Sequence, residues 1–148
     1  MNGSALAGPS YVDASALAKL YLPEPQSERL NRALQGRTDL LVSDLALTEI
    51  VSALARRRRA GEITLTAVNR IYRAVLGDIE DGTLRRMDLL AESHRDAERL
   101  LLTLDETPLR AADALHLALA LEGDAGTLAT FDLRLAAAAR AVGLPVFP

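Results

Sequence analysis

Apolar residues follow two rhythms along this chain: short continuous runs, and longer stretches with a spacing of three or four. The runs PSYVD (9–13), DLLVSD (39–44), TLRRMDL (83–89), GTLATFD (126–132) and LPVF (144–147) have the length and boundaries of strands. Between them, SALAKLYL (15–22) has helical spacing with Ser15 placed as an N-cap, and QSERLNRALQG (26–36) is a second helix stopped by Gly36. Leu47, Ile50, Val51 and Leu54 form one apolar stripe on a helix ending near Gly61, and TLTAVNRIYRAVLG (64–77) is another amphipathic helix. Further helices are predicted through DAERLLLTL (96–104), from a Thr107 N-cap and Pro108 first position to Glu122, and over LRLAAAARAVG (133–143). Strands alternating with helices, with no internal repeat or linker, predict a single α/β domain over 1–148 with a mainly parallel sheet of about five strands. Ligands of such sheets bind beyond the carboxyl ends of the strands, where the crossovers diverge. Asp13 and Asp132 each close a predicted strand, so both are delivered to that edge.

Composition narrows the chemistry. With 49% hydrophobic and 25% charged residues the chain is globular, and with 3% aromatics its core is built from Leu, Ala and Val. Without cysteine there is neither a disulfide nor a thiolate zinc site, which fits a cytoplasmic protein. The opening MNGSALAGPS lacks the basic and apolar regions of a signal peptide, and no run approaches a membrane span of roughly 20 apolar residues. A net charge of −3 argues against a general nucleic-acid coat and leaves room only for a local basic surface.

The segment ADALHLALALE (112–122) is apolar nearly all round, yet carries Asp113 near its start and His116 one turn on. Such a helix is buried, and a buried carboxylate needs a compensating partner. Arg110, three residues earlier, is one candidate and a metal ion is another. Glu49 lies away from its helix's apolar stripe and, from spacing alone, also reads as a solvated surface acid. Asp13 and Asp132 likewise read as helix-capping acids. Together Asp13, Glu49, Asp113 and Asp132 form an all-oxygen set suited to Mg²⁺ or Mn²⁺, because hard cations prefer carboxylates and water. Only His94 and His116 could serve zinc, and His116 also reads as a hydrogen-bonded core histidine.

The stretches YVDASALAKLYLPE, LVSDLALTEIVSALARR, LRAADALHLALAL and LATFDLRLAAAARAVGLPV, spread over residues 11 to 146, resemble in order the motif blocks of PIN domains. The first and third resemble especially the VapC toxins of toxin–antitoxin pairs. The resemblance implies a three-layer α/β/α sandwich and a metal-dependent endoribonuclease that hydrolyses RNA phosphodiesters with a metal-activated water, leaving a 5′-phosphate and a 3′-hydroxyl. It places the family's acidic quartet on Asp13, Glu49, Asp113 and Asp132. Ser15 and Thr130 match supporting hydroxyls. Ala14 and Phe131 depart from the usual residues, and the fourth acid is the least constant of the quartet. The resemblance further implies a VapB-like antitoxin, an RNA substrate such as tRNA or rRNA, and a homodimer.

The remaining candidates have two readings each. Lys19 either snorkels to solvent or balances the acidic pocket. Arg56, Arg57, Arg58 and Arg59 either complement a helix C-terminus or contact RNA phosphates, joined by Arg85 and Arg86. Leu17, Leu20 and Tyr21 are candidates for an apolar groove that takes an antitoxin tail. An aspartyl phosphatase would require a second acid where Ser15 stands, and a phospho-acceptor receiver would need a better-placed middle-strand acid than Asp44. The alternative that survives is a catalytically silent PIN-like module that binds RNA or protein.

Overall fold

Residues 6–148 are described by a computed structural model, so the first half of the amino-terminal stretch read for a signal peptide lies outside the described residues. Five strands, β1 (Ser10–Val12), β2 (Leu40–Ser43), β3 (Leu84–Met87), β4 (Thr127–Ala129) and β5 (Val146–Phe147), form one sheet in the order β3-β2-β1-β4-β5. Every pairing is parallel. Seven helices join them among the described residues: α1 (Ala14–Tyr21), α2 (Ser27–Leu34), α3 (Asp44–Arg59), α4 (Leu65–Glu80), α5 (Ala91–Thr103), α6 (Ala111–Glu122) and α7 (Leu133–Ala141).

Alternation along the strands creates the layers, because successive strand side chains point to opposite faces. Val12, Leu40, Val42 and Ala129 face a core shared with Leu17 of α1, Leu30 of α2, Ile50 and Leu54 of α3, and Ile71 of α4. Tyr11, Leu41 and Leu128 face the other way, into a core with Leu117 and Leu119 of α6 and Leu135 of α7. The product is an α/β/α sandwich. Continuous burial on both faces is why β1, β2 and β4 read as unbroken runs. At the edge, β3 exposes Arg85 and Arg86, a charge pattern that suits an edge strand.

Helix ends explain where the structure departs from the sequence expectations. α1 is capped by Asp13 rather than Ser15: the Asp13 carboxylate accepts from the Ala16 N–H at 2.9 Å. α3 ends where expected, with Ala60 followed by Gly61 at φ +75°, a left-handed position that glycine enters without strain. α6 does not begin at Thr107 and Pro108. Residues 108–110 run on outside any helix, which lets Leu109 pack on the α5–α6 seam beside Leu100 and Ala114. The helix then starts after Arg110, whose N–H donates to Asp113 at 3.2 Å, one half of a capping box. Val51, placed in the apolar stripe of α3, is 37% exposed, while Leu47, Ile50 and Leu54 are buried.

Leu17 is fully buried in the core and cannot line a surface groove. Leu20 and Tyr21 instead line a cavity of about 750 Å³ with Leu34, Leu40 and Leu84. That cavity opens at the amino ends of β2 and β3, the sheet edge opposite Asp13.

Candidate active site

Asp13 follows the last residue of β1 and donates its own N–H to Ala129, the last residue of β4, at 3.2 Å. Strand order reverses direction between β1 and β4, so this is the crevice in which open parallel sheets bind ligands. Asp13 is 3% exposed, and its carboxylate is gripped on both oxygens. Oδ1 accepts from the Ser15 hydroxyl at 2.7 Å and from the Ala16 N–H; Oδ2 accepts from the Thr130 hydroxyl at 2.5 Å. The two hydroxyls are themselves fixed, because the Phe131 N–H donates to Ser15 at 2.9 Å and the Asp132 N–H donates to Thr130 at 3.0 Å. The loop after β4 therefore clasps the first turn of α1 around one acid.

Every donor to Asp13 is neutral. Burial raises its carboxyl above the ordinary carboxylate range, partly offset by Thr130, Ala16 and Ser15. Asp113, 8% exposed, is also raised by burial, partly offset by the Arg110 N–H and raised again by the charge of Asp132. The Arg110 guanidinium forms no ion pair with it among the described residues; its charge acts only at a distance, and the contact is made by the Arg110 backbone. Asp132 N-caps α7, with Oδ1 accepting from the Arg134 and Leu135 N–H groups at 2.9 and 3.1 Å.

Glu49 stands in the second turn of α3, with its side chain 38% exposed. Its Oε1 is hydrogen-bonded to Nε2 of His116. Nδ1 of His116 meets the Tyr11 hydroxyl at 2.8 Å, and that hydroxyl meets the Ser43 hydroxyl at 2.7 Å. Tyr11 and Ser43 carried no signal in the sequence beyond their place in buried strands. Burial keeps the Tyr11 phenol far above its ordinary value, so it stays protonated.

Lys19 does not balance the acids. Its ammonium pairs with Glu24 at 3.1 Å and lies 4.9 Å from the centre of the Phe131 ring. The basic run is divided. Arg57 is tied to Glu24 at 2.5 Å and faces Glu62 at 4.0 Å, whereas Arg56, Arg58 and Arg59 are exposed and form no ion pair among the described residues. Arg86 is paired with Asp44 at 2.6 Å.

No three His, Asp or Glu side chains converge closely enough to hold an ion together among the described residues. The donor chemistry nonetheless fits a hard divalent cation. Neither of the two buried carboxylates forms an ion pair among the described residues, Asp132 adds negative charge to Asp113, and the ligands on offer are oxygens.

A family pattern described as the PIN domain matches residues 10–141. Ribonuclease VapC46 of Mycobacterium tuberculosis (strain ATCC 25618 / H37Rv) is 36% identical over 140 residues, covering 92% of this chain and 94% of its own. Ribonuclease VapC3 of Pyrobaculum aerophilum is 34% identical over 125 residues, covering 84% and 90%. In structure, the chain is similar to Mycobacterium tuberculosis VapC20, a sarcin–ricin loop cleaving toxin, with a TM-score of 0.67 at 21% identity over 88% of this chain and 95% of that one. A chain of FitAcB from Neisseria gonorrhoeae superposes with a TM-score of 0.61 at 19% identity, covering 95% and 97%. The chain belongs to the PIN-domain family. Within that family it stands with the VapC-type ribonucleases, the toxins of toxin–antitoxin pairs.

Proposed function

We propose that this chain cuts RNA with the help of Mg²⁺ or Mn²⁺, and that Asp13, Glu49, Asp113 and Asp132 form the site that holds the ion. The observation that carries this reading is Asp13: a buried carboxylate, clasped by three neutral donors and lacking any counter-charge, at the reversal point of the sheet. The chemistry supplied by a bound divalent ion is acidification of water and neutralisation of charge at phosphoryl oxygens. The protein's own part is to fix the ligands. Ser15 and Thr130 orient Asp13; the start of α6 orients Asp113; the cap of α7 leaves Oδ2 of Asp132 unengaged among the described residues. Arg56, Arg58 and Arg59 are the cations of the basic run free to meet RNA phosphates.

The cognate partner is a VapB-like antitoxin that covers the acidic crevice and inserts a cation there, since a guanidinium pairs strongly with a buried carboxylate. The protein works in the cytoplasm, as a homodimer, on a structured RNA such as tRNA or rRNA. No helix among the described residues is long and apolar enough to cross a membrane.

The test is incubation of the purified chain with defined tRNAs and ribosomal RNA in Mg²⁺, Mn²⁺ or chelator, with and without the protein encoded beside its gene. Metal-dependent cleavage that this protein silences is the expected result. Cleavage unaffected by chelator, or none with any metal, overturns it. Gln at positions 56, 58 and 59 is expected to weaken RNA binding and flatten its salt dependence, about one unit of log–log slope for each lost phosphate contact. An unchanged slope in a filter-binding series assigns those arginines to the helix end alone.

A further inference from the structure

From Ser43 on β2 a line of hydrogen bonds crosses the sheet to Glu49 through Tyr11 on β1 and His116 on α6. Ser43 and Tyr11 are fully buried and His116 is 4% exposed; the line reaches solvent only at the Glu49 carboxylate. We propose that Tyr11 and His116 are positioning residues for Glu49, a buried strut that holds this carboxylate in one orientation. The inference rests on the reading of Glu49 as a ligand of the divalent ion.

Counting donors gives the line one direction. An ionised Glu49 carboxylate only accepts, so Nε2 of His116 carries the proton between them, and in the neutral imidazole Nδ1 is then an acceptor. Tyr11 therefore donates to Nδ1 and accepts from Ser43, whose hydroxyl also accepts the Ala46 N–H at 3.1 Å. Each polar atom is used and the imidazole is held in one tautomer, an arrangement that recurs behind metal-binding carboxylates and imidazoles. The ring is also locked in orientation by an edge-on contact with the Tyr11 ring, the centres 5.8 Å apart. A glutamate on the open face of a helix otherwise samples several rotamers. Nothing in a purely structural role requires the buried line to end on a partly exposed acid.

Calorimetric Mn²⁺ titration of the full chain tests this, with His116→Ala, Tyr11→Phe and Glu49→Gln alone and His116→Ala combined with Glu49→Gln. His116→Ala is expected to weaken Mn²⁺ binding about 10- to 100-fold, the usual scale for residues behind the ligands, and Tyr11→Phe less. In the Glu49→Gln background His116→Ala is expected to add no further loss, because its effect passes through that carboxylate. Tyr11→Phe keeps the ring and its packing, so it reports even if His116→Ala unfolds. In the metal-free protein, imidazole ¹⁵N shifts are expected to show the Nε2–H tautomer in the wild type and a mixture in Tyr11→Phe. Wild-type Mn²⁺ binding that His116→Ala and Tyr11→Phe leave equal or tighter overturns the strut alone. A wild type that binds no Mn²⁺ overturns the metal site and the strut with it.

Discussion

Asp13→Asn is expected to lower RNA cleavage on the order of a thousandfold or more, the scale of removing one member of a cooperating catalytic set. The metal-free variant is expected to be no less stable than the wild type. Two opposing effects decide that sign. The asparagine amide group turned to Thr130 would leave the Thr130 proton without its acceptor, a loss of about 1 kcal/mol. Against this stands removal of a buried charge with no counter-ion, which burial already disfavours. Asp113→Asn, closer to solvent and held by one backbone donor, is expected to lose cleavage equally and to keep or improve RNA binding. The pH dependence separates charge from shape. Both acids titrate above their ordinary range in the folded chain, so the folded state takes up protons before the unfolded one. The metal-free wild type is therefore expected to gain stability as pH falls from those raised values toward about 3.9, the unfolded carboxylate value. Asp13→Asn loses part of that gain, and Mn²⁺, which needs ionised ligands, reverses the slope. Thermal melts from pH 7 to pH 4, with Mn²⁺ and with chelator, measure all of this. A metal-free Asp13→Asn that melts well below the wild type would make Asp13 a stabilising cap rather than a strained ligand.

Much of this site was legible because local chemistry and topology agree at the strand ends. Asp13 and Asp132 follow buried strands that pair in parallel, so reading each as a strand terminus was enough to bring them to one edge. Asp113 was legible from contrast, an acid in a helix otherwise built of Ala and Leu. Capping was harder, since Asp13, Ser15, Thr107 and Pro108 all satisfy local rules. The choice among them was made by tertiary contacts: Ser15 is drawn to Phe131 across the chain, and Leu109 to the α5–α6 seam. By sequence Lys19 and Arg57 suit the acids and RNA, yet Glu24, sitting between α1 and α3, captures both. The line from Ser43 to Glu49 joins residues up to 105 positions apart and has no periodic signature.

Thr130→Val is the substitution that bears hardest on this interpretation while changing the least shape. Thr130 is 2% exposed; its hydroxyl gives Asp13 Oδ2 its one hydrogen bond among the described residues and accepts the Asp132 N–H. Valine fills the same volume, so packing is kept while both bonds vanish. Losing a donor to a charged, buried acceptor costs about 1.5–3 kcal/mol. For a chain of this size that is a fall in Tm of roughly 4–10 °C. Since Thr130 is the strongest influence opposing burial at Asp13, its removal raises that carboxyl further and makes ionisation for metal binding more costly. Mn²⁺ affinity is therefore expected to fall about 10- to 100-fold, as for other residues that orient ligands. Thr130→Ser restores the hydroxyl and is expected to recover both Tm and affinity, which a simple packing defect would not do. Scanning calorimetry and Mn²⁺ titration of the two variants decide it. If Thr130→Val keeps the wild-type Tm and affinity, the grip of the β4 loop on Asp13 contributes neither to stability nor to the site.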